Sequence, residues 1–222
     1  MDVVISLGGS LIVPQEIDVS FLKSFVHLVH AHTKKGYHVV IICGGGYTCR
    51  WYQHAAKKLG CTHSSDLDWI GIRATHLNAE LIRSLFKEAY DHVITNPTEK
   101  IKTDKKIIIG CGWKPGFSSD MDSVQIANNL GITHIINLTN VDYVYDKDPR
   151  KYPDAQPKKT LTWKELQHIV GNKWTPGANF PFDPKATAYA AKTKKRLYIV
   201  KGNITNLKNI LEGKKVTGTL VK

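Results

Sequence analysis

The chain has 222 residues, 42% of them hydrophobic and 23% charged, a balance that fits one sizeable core or one core with an appended lobe. No apolar run approaches the ~20 residues of a bilayer span, and Met1-Asp2 leads into a strand, not a basic leader, so a cytoplasmic protein is expected and no membrane partner. The net charge of +12 raises a nucleic-acid partner, but the basic residues fall as scattered pairs such as Lys34-Lys35, Lys57-Lys58 and Lys214-Lys215, not as a stripe, so none is expected.

Val3 to Leu7 reads as a buried strand, followed at once by Gly8-Gly9-Ser10. Two glycines let a backbone approach an anion closely, and the Ser10 hydroxyl can donate to phosphate oxygens. A helix is predicted from Val19 to Lys35, with Asp18 as N-cap, Phe21, Leu22, Phe25, Val26 and Val29 on one face, and Gly36 as terminator. His27, His30 and His32 on or near it read as surface or hydrogen-bonded residues, not ligands. His38 to Ile42 is a second strand, and Cys43-Gly44-Gly45-Gly46 is its exit loop into a helix from about Thr48 to Leu59. The loop is neither a Walker A motif nor a dinucleotide fingerprint, and three consecutive glycines exceed what a turn alone requires. Arg50, in the first helical turn, can swing back over the loop and make paired bonds to phosphate. Asp68 stands at the predicted opening of a further helix, as a possible N-cap, with Ile70, Ala74, Leu77, Leu81 and Leu85 at helical spacing as far as Tyr90.

His92 to Ile94 and Lys106 to Gly110 read as two more strands, joined by an unassigned polar segment near Asn96-Pro97. In residues 111 to 120, Pro115-Gly116 and Ser118-Ser119-Asp120 precede a helix running to Leu130, and a helix N-terminus favours an anion. Trp113 can stack on a base or sit at a rim. A bare Asp120 would repel phosphate unless Mg²⁺ or a cationic side chain stood between them. His134 to Leu138 is a buried strand, after which Tyr143 and Tyr145 alternate with Asp142, Asp146 and Asp148 until Pro149 stops any ladder. That describes an ordered loop at a strand's carboxyl end, where open α/β sheets bind ligands. Tyr152 to Thr160 is a polar linker, and Thr162-x-x-Glu165 is a capping box for a helix closed by Gly171. A proline-rich surface loop spans Lys173 to Phe182, and Asp183-Pro184 supplies N-cap and first turn of a helix over Lys185 to Lys194. Leu197 to Val200 and Thr217 to Val221 are closing strands, with a short helix near Leu207. The alternation implies an α/β fold, a three-layer sandwich with a largely parallel central sheet. Cys43, Cys49, Cys61 and Cys111 lack paired or zinc-type spacing and read as reduced thiols.

The run Thr139-Asn140-Val141-Asp142-x-Val144-Tyr145-x-x-Asp148-Pro149 resembles the nucleotide loop of the amino acid kinase family, and is most similar to its archaeal-type uridylate (UMP) kinase branch. The glycine loops and the 112 to 120 segment extend the likeness over nearly the whole chain. The resemblance implies ATP contacts at Gly9, Ser10, Gly46, Arg50, Thr139, Asn140, Tyr145 and Asp148. It implies UMP contacts at Gly45, at Asp68, and along Trp113, Lys114, Pro115, Gly116, Phe117, Ser118 and Ser119. Catalytic roles fall to Ser10, Arg50 and Asp120, with Mg²⁺ brought by ATP and no protein metal site. In the broader family the later segment faces phosphates, which adds Asp183 and Lys185. Many relatives carry a lysine on the first strand; this chain, like the archaeal-type enzymes, does not, and which cation replaces it is open. The resemblance also implies one domain over residues 1–222, with an acceptor-binding N-terminal half and a nucleotide-binding C-terminal half, and a homo-oligomer, typically a hexamer.

The implied reaction is transfer of the γ-phosphoryl group of ATP to UMP, giving ADP and UDP. Two other readings stand beside it. One keeps the kinase and changes the acceptor to isopentenyl phosphate, a phosphonate or an acylated amino acid, since such relatives share the glycine loops. The other is a non-catalytic nucleotide sensor or nucleic-acid binder, whose binding would weaken steeply with salt.

Overall fold

The computed structural model describes residues 1–172 and 180–222, so most of the expected proline-rich loop lies outside the described residues. The N-terminal half runs β1 (Val3–Leu7), α1 (Gly9–Ile12), α2 (Val19–Thr33), β2 (Val39–Cys43), α3 (Gly46–Lys58), α4 (Ser64–Ser84) and β3 (Ile107–Gly110). It continues through α5 (Ser119–Asn129), β4 (His134–Thr139), β5 (Val144–Tyr145), β6 (Pro157–Lys158), β7 (Thr160–Leu161) and α6 (Trp163–Val170). The chain closes with α7 (Pro184–Lys192), β8 (Arg196–Lys201), α8 (Ile204–Leu211) and β9 (Gly218–Val221).

Seven strands form one sheet in the order β3-β2-β1-β4-β8-β9-β7, all pairs parallel except β8 with β9. β1, β2 and β3 are buried at every position, as unbroken Val and Ile runs must be when helices cover both faces. One face packs on α2, α4 and α8 through Phe25, Val29, Ile82, Leu207 and Ile210. The other packs on α5, α6 and α7 through Val124, Ile126, Leu166, Ala186 and Ala190. This is the expected three-layer arrangement. Register pairs Leu7 with Cys43 and Leu138, Ile42 with Gly110, and Thr139 with Lys201, so five strands deliver their carboxyl ends to one edge.

Local chemistry sets most boundaries as the sequence predicts. The Asp18 carboxylate accepts from Phe21 N at 2.9 Å to start α2, Thr162 and Glu165 form a full capping box for α6, and Asp183 caps α7. His32 is buried with Nε2 2.8 Å from the Met1 carbonyl, and His30 pairs with Glu88, so neither histidine is free for a ligand.

Several expectations are corrected. Gly9-Ser10 is not open loop but the start of a one-turn helix, closed by Leu11 N to Gly8 O and Val13 N to Gly9 O. α4 begins at Ser64, with His63 at the N-cap position making no side-chain cap bond, so Asp68 lies inside it and is not its N-cap; the helix ends at Ser84, short of Tyr90. Residues 92–94 form only one bridge, Ile94 with Gly110, because Asn96-Pro97 turns the chain from β3 before consecutive pairs form. The stretch after Pro149 is more than a linker: β5 and β6 make an antiparallel hairpin, and β7 joins the main sheet beside β9.

Candidate active site

The site is built where the glycine loops after β1 and β2 touch backbone to backbone. A Cβ on Gly9 would stand 2.0 Å from Gly46 N and 2.6 Å from the Gly44 carbonyl carbon, and one on Gly44 would stand 2.5 Å from Gly9 N. Gly46 adds a left-handed φ of 64°. Gly44 and Gly46 are therefore demanded by the neighbouring loop, while a Cβ on Gly45 would meet Cys49 Cβ of α3 at 2.6 Å. Asn78, buried on α4, donates its Nδ2 to the Gly44 carbonyl at 2.7 Å and fixes the loop. Sequence reasoning missed Asn78, although a signal existed: it interrupts the buried stripe Ala74, Asn78, Ile82, and a polar residue on such a face needs a partner. Arg50 lies in the first turns of α3, exposed and without an ion pair among the described residues, so its guanidinium is not tied up by a carboxylate there. Ser10 Oγ likewise has no protein partner among the described residues.

The segment after β3 is tied down by α4. Thr75 Oγ1 accepts from Gly112 N at 2.8 Å and donates to Ile72 O at 2.6 Å, while His76 Nε2 donates to Gly112 O at 3.0 Å. Burial lowers the His76 pKa, favouring the neutral ring. Asp68 Oδ2 accepts from Gly116 N at 3.2 Å, so this expected acceptor residue does reach the expected acceptor loop. Trp113 and Phe117 meet edge to face, and the Lys114 ammonium lies 3.8 Å from the Trp113 centroid and 4.9 Å from that of Phe117. One face of Trp113 therefore holds a cation.

At the start of α5 three carboxylates converge. Ser118 caps the helix by accepting from Met121 N and donates to Asp183 Oδ2 at 2.7 Å. Asp183 is 5% exposed, its Oδ1 accepts from Lys185 N and Ala186 N, and its own N–H donates to Asp120 Oδ2 at 3.0 Å. Both Asp183 oxygens are thus engaged, and what it offers is a link between Ser118 and Asp120 rather than a free oxygen. Lys185 extends its side chain to solvent from the first turn of α7. Asp122, fully buried, accepts from Trp113 N at 3.3 Å through Oδ2, and its Oδ1 has no partner among the described residues. Desolvation pushes the Asp120 and Asp122 carboxyls up to about 7, with nearby Asp183 adding to both. Asp120 keeps some solvent contact as a residue, but protein crowds its carboxyl, and only the Asp183 N–H offsets that crowding.

Beyond β4, Thr139 and Asn140 sit beside the first glycine loop, because Gly8 N donates to Leu138 O at 3.1 Å. Tyr145 pairs with Pro157 in the hairpin, and Asp148 makes paired 3.0 Å bonds to the Arg150 guanidinium, which hold its carboxyl below the usual range. No hydrogen bond or ion pair joins Tyr145, Asp148 or the Lys185 side chain to the glycine loops among the described residues. The hairpin is fastened elsewhere: Val144 N donates to Thr219 Oγ1 at 2.9 Å, and that hydroxyl donates to Lys158 O at 2.5 Å.

Among the described residues no group of three or more His, Cys, Asp or Glu could hold a metal ion. Asp120 Oδ1, with no protein partner among the described residues, suits an ion carried by substrate phosphates, the way magnesium is ordinarily held.

Two glycine loops in backbone contact, a guanidinium without an ion pair among the described residues, a helix start bearing Ser118 and a partly exposed Asp120 make this an α/β crevice for phosphate anions, the equipment of a phosphotransferase. The chain belongs to the amino acid kinase family, whose model matches residues 1–201. It is 34% identical over 215 residues to the uridylate kinase of Thermoplasma volcanium, covering 96% of this chain and 93% of that protein. It is also 34% identical over 219 residues to the uridylate kinase of Pyrococcus abyssi, covering 96% of each. The crystal structure of uridylate kinase from Archaeoglobus fulgidus superposes with a TM-score of 0.86 at 28% identity, covering 100% of both chains. No helix among the described residues is long and apolar enough to cross a membrane.

Proposed function

We propose that the protein is a uridylate kinase, transferring the γ-phosphoryl group of ATP to UMP to give ADP and UDP. The observation that carries this reading is the backbone contact of the two glycine loops beside an acceptor loop held by Asp68, Thr75 and Ser118. The names of the curated relatives point the same way.

The attacking group is a phosphate oxygen already ionised at neutral pH, so no general base is needed. The work is to bring two mutually repelling anions into line and to spread the developing charge. In this reading Gly9, Ser10, Gly46 and Arg50 hold the phosphates of ATP, and Thr139, Asn140, Tyr145 and Asp148 hold its nucleoside. Gly45, Asp68 and residues 113 to 119 hold UMP. Arg50 stands for the cation that a first-strand lysine supplies in many family members, with Lys185 as a second contact from α7. Asp120, when ionised, would hold a substrate-borne magnesium ion through Oδ1, and the ion would supply charge neutralisation at the phosphates. Asp183 sets the position of Ser118 and Asp120 at once and touches neither substrate. The chain acts in the cytoplasm as one domain, its N-terminal half serving the acceptor and its C-terminal half the nucleotide.

The reading includes self-association. α3 buries only Gly46 and exposes Tyr47, Trp51 and Tyr52, with Leu59 beyond its end and Trp69 and Leu77 on the adjoining α4. Side chains of that size present on the order of 800 Å² together, the amount one partner contributes to a standard interface. A second copy of the chain is the proposed cover.

The test is ADP release from ATP and Mg²⁺ with UMP, CMP, dUMP, AMP and isopentenyl phosphate offered separately. UMP should exceed the others, and Arg50→Ala and Asp120→Asn should each lower turnover by about 10²- to 10³-fold. Unchanged turnover in both variants would refute the roles, and preference for another acceptor would refute the reading of residues 113 to 119.

A further inference from the structure

Away from the glycine loops, α2 and α8 lie side by side on one face of the sheet and leave between them a groove of about 590 Å³. Its floor is apolar, made by Leu28 and Ala31 of α2 and Ile204 and Leu211 of α8. Its rim is cationic. Lys23 and His27 come from α2, Lys35 follows that helix, and Lys208 faces them from α8.

None of these three lysines makes an ion pair among the described residues. The carboxylate in the groove, Glu212, is paired with Lys214 at 2.7 Å, and that bond, with Lys208 and Lys35 also nearby, keeps its pKa low. One carboxylate shared among these lysines leaves the rim net positive. Like charges gathered at a concavity repel one another and focus a field that attracts anions. The volume is that of a small-molecule site, not of a protein footprint. Lys23 lies within α2 and Lys35 just beyond its end, a separation on the order of 15–18 Å at the helical rise, which is beyond the reach of one phosphate. An elongated ligand is required, with several anionic groups and a body that can lie on the apolar floor.

We propose that the α2–α8 groove is a second ligand site, separate from the phosphate-binding loops, for a small polyphosphorylated ester with an apolar or aromatic body. Lys23, Lys35 and Lys208 bind its phosphates, and Leu28, Ala31 and Ile204 take the body. The groove does not depend on the uridylate kinase reading, because no residue in it belongs to the proposed ATP or UMP contacts.

The test uses the full chain, with inorganic tripolyphosphate as the charge-only probe and ATP as the probe with an aromatic body. Hydrogen exchange with and without each probe reports where protection falls. Both probes should protect residues 23–35 and 204–212, ATP more than tripolyphosphate, in addition to any protection at the glycine loops. In the double variant Lys23→Glu, Lys208→Glu, affinity at the groove should fall by more than about tenfold, since reversal turns two attractions into repulsions. The protection at α2 and α8 should vanish while the variant keeps its thermal midpoint and its turnover with UMP. Protection confined to the glycine loops overturns the site. So does groove binding by RNA or an acidic peptide with both phosphate probes silent, which would make the surface a macromolecular contact. Lost turnover in the double variant would instead show that the groove is not separate.

Discussion

The contact between the glycine loops makes Gly9→Ala the most informative substitution. Gly9 has a φ that any residue can adopt, so the change carries no backbone penalty of its own, and its whole effect comes from the added methyl. That carbon would stand 2.0 Å from Gly46 N, 2.6 Å from the Gly44 carbonyl carbon and 2.7 Å from that of Gly45. All three neighbours are backbone, so no side chain can rotate away. Ordinary van der Waals separation begins near 3.4 Å, and the loops must part by more than an ångström. Overpacking of this kind costs about 1–3 kcal/mol in stability. A displacement of about 1 Å between donor and acceptor supports costs on the order of 10² in rate. Urea unfolding and steady-state ADP release on the same preparation separate the two effects. The variant should lose both, with the rate falling further than the loss of folded protein explains. Parent-like turnover and an unshifted urea midpoint would refute the claim that the loops are held at backbone contact.

Asn78→Ala leaves the Gly44 carbonyl without its donor in a buried setting, and urea unfolding should show a loss of about 1–3 kcal/mol together with reduced turnover. Asp122 is pushed up to about 7, so the folded state holds a proton that the unfolded chain releases near 4. Its unfavourable ionisation lowers stability as pH rises from about 4 to about 7, and Asp122→Asn should raise the urea midpoint at pH 8 more than at pH 4. An equal gain at both values would contradict that cause. Asp120, also pushed up to about 7, must ionise to hold magnesium, so kcat/KM should climb with pH through that region and the climb should disappear in Asp120→Asn. Trp51→Glu places a charge at the centre of the exposed aromatic face of α3, and sedimentation should show a smaller assembly than the parent. An unchanged sedimentation coefficient would remove that face as the self-association surface.

The scaffold was legible because unbroken runs such as Val3 to Leu7 and Val39 to Cys43 have one destination, a sheet covered on both faces. Caps at Asp18, Thr162 and Asp183 announced their helices through chemistry confined to three or four residues. Less legible were features set by distant partners. Asp68 looked like a helix start, yet α4 had already begun at Ser64, and the position of Asp68 has meaning only through Gly116 N, 48 residues away. The glycines after β2 read as a phosphate loop, whereas the steric necessity of Gly44 and Gly46 comes from Gly9. The ties of Asp183 to Ser118 and Asp120 could not be read locally, since spacing alone does not show that α5 and α7 start side by side. The brief pairing of Tyr145 with Pro157 was hidden by Pro149, which ends a ladder locally but allows the chain to return and pair eight residues later.

The bond from Val144 N to Thr219 Oγ1 spans 75 residues of sequence. A chain emerging from the ribosome therefore exposes its hairpin long before the hydroxyl that fastens it has been made. Until β9 is threaded between β8 and β7, Val144 lacks that bond and Lys158 lacks its donor, so the edge of the sheet beyond β8 forms last. In the proposed function Tyr145 and Asp148 hold the nucleoside of ATP, so vectorial synthesis withholds that fastened seat from the nascent chain until β9 has been made.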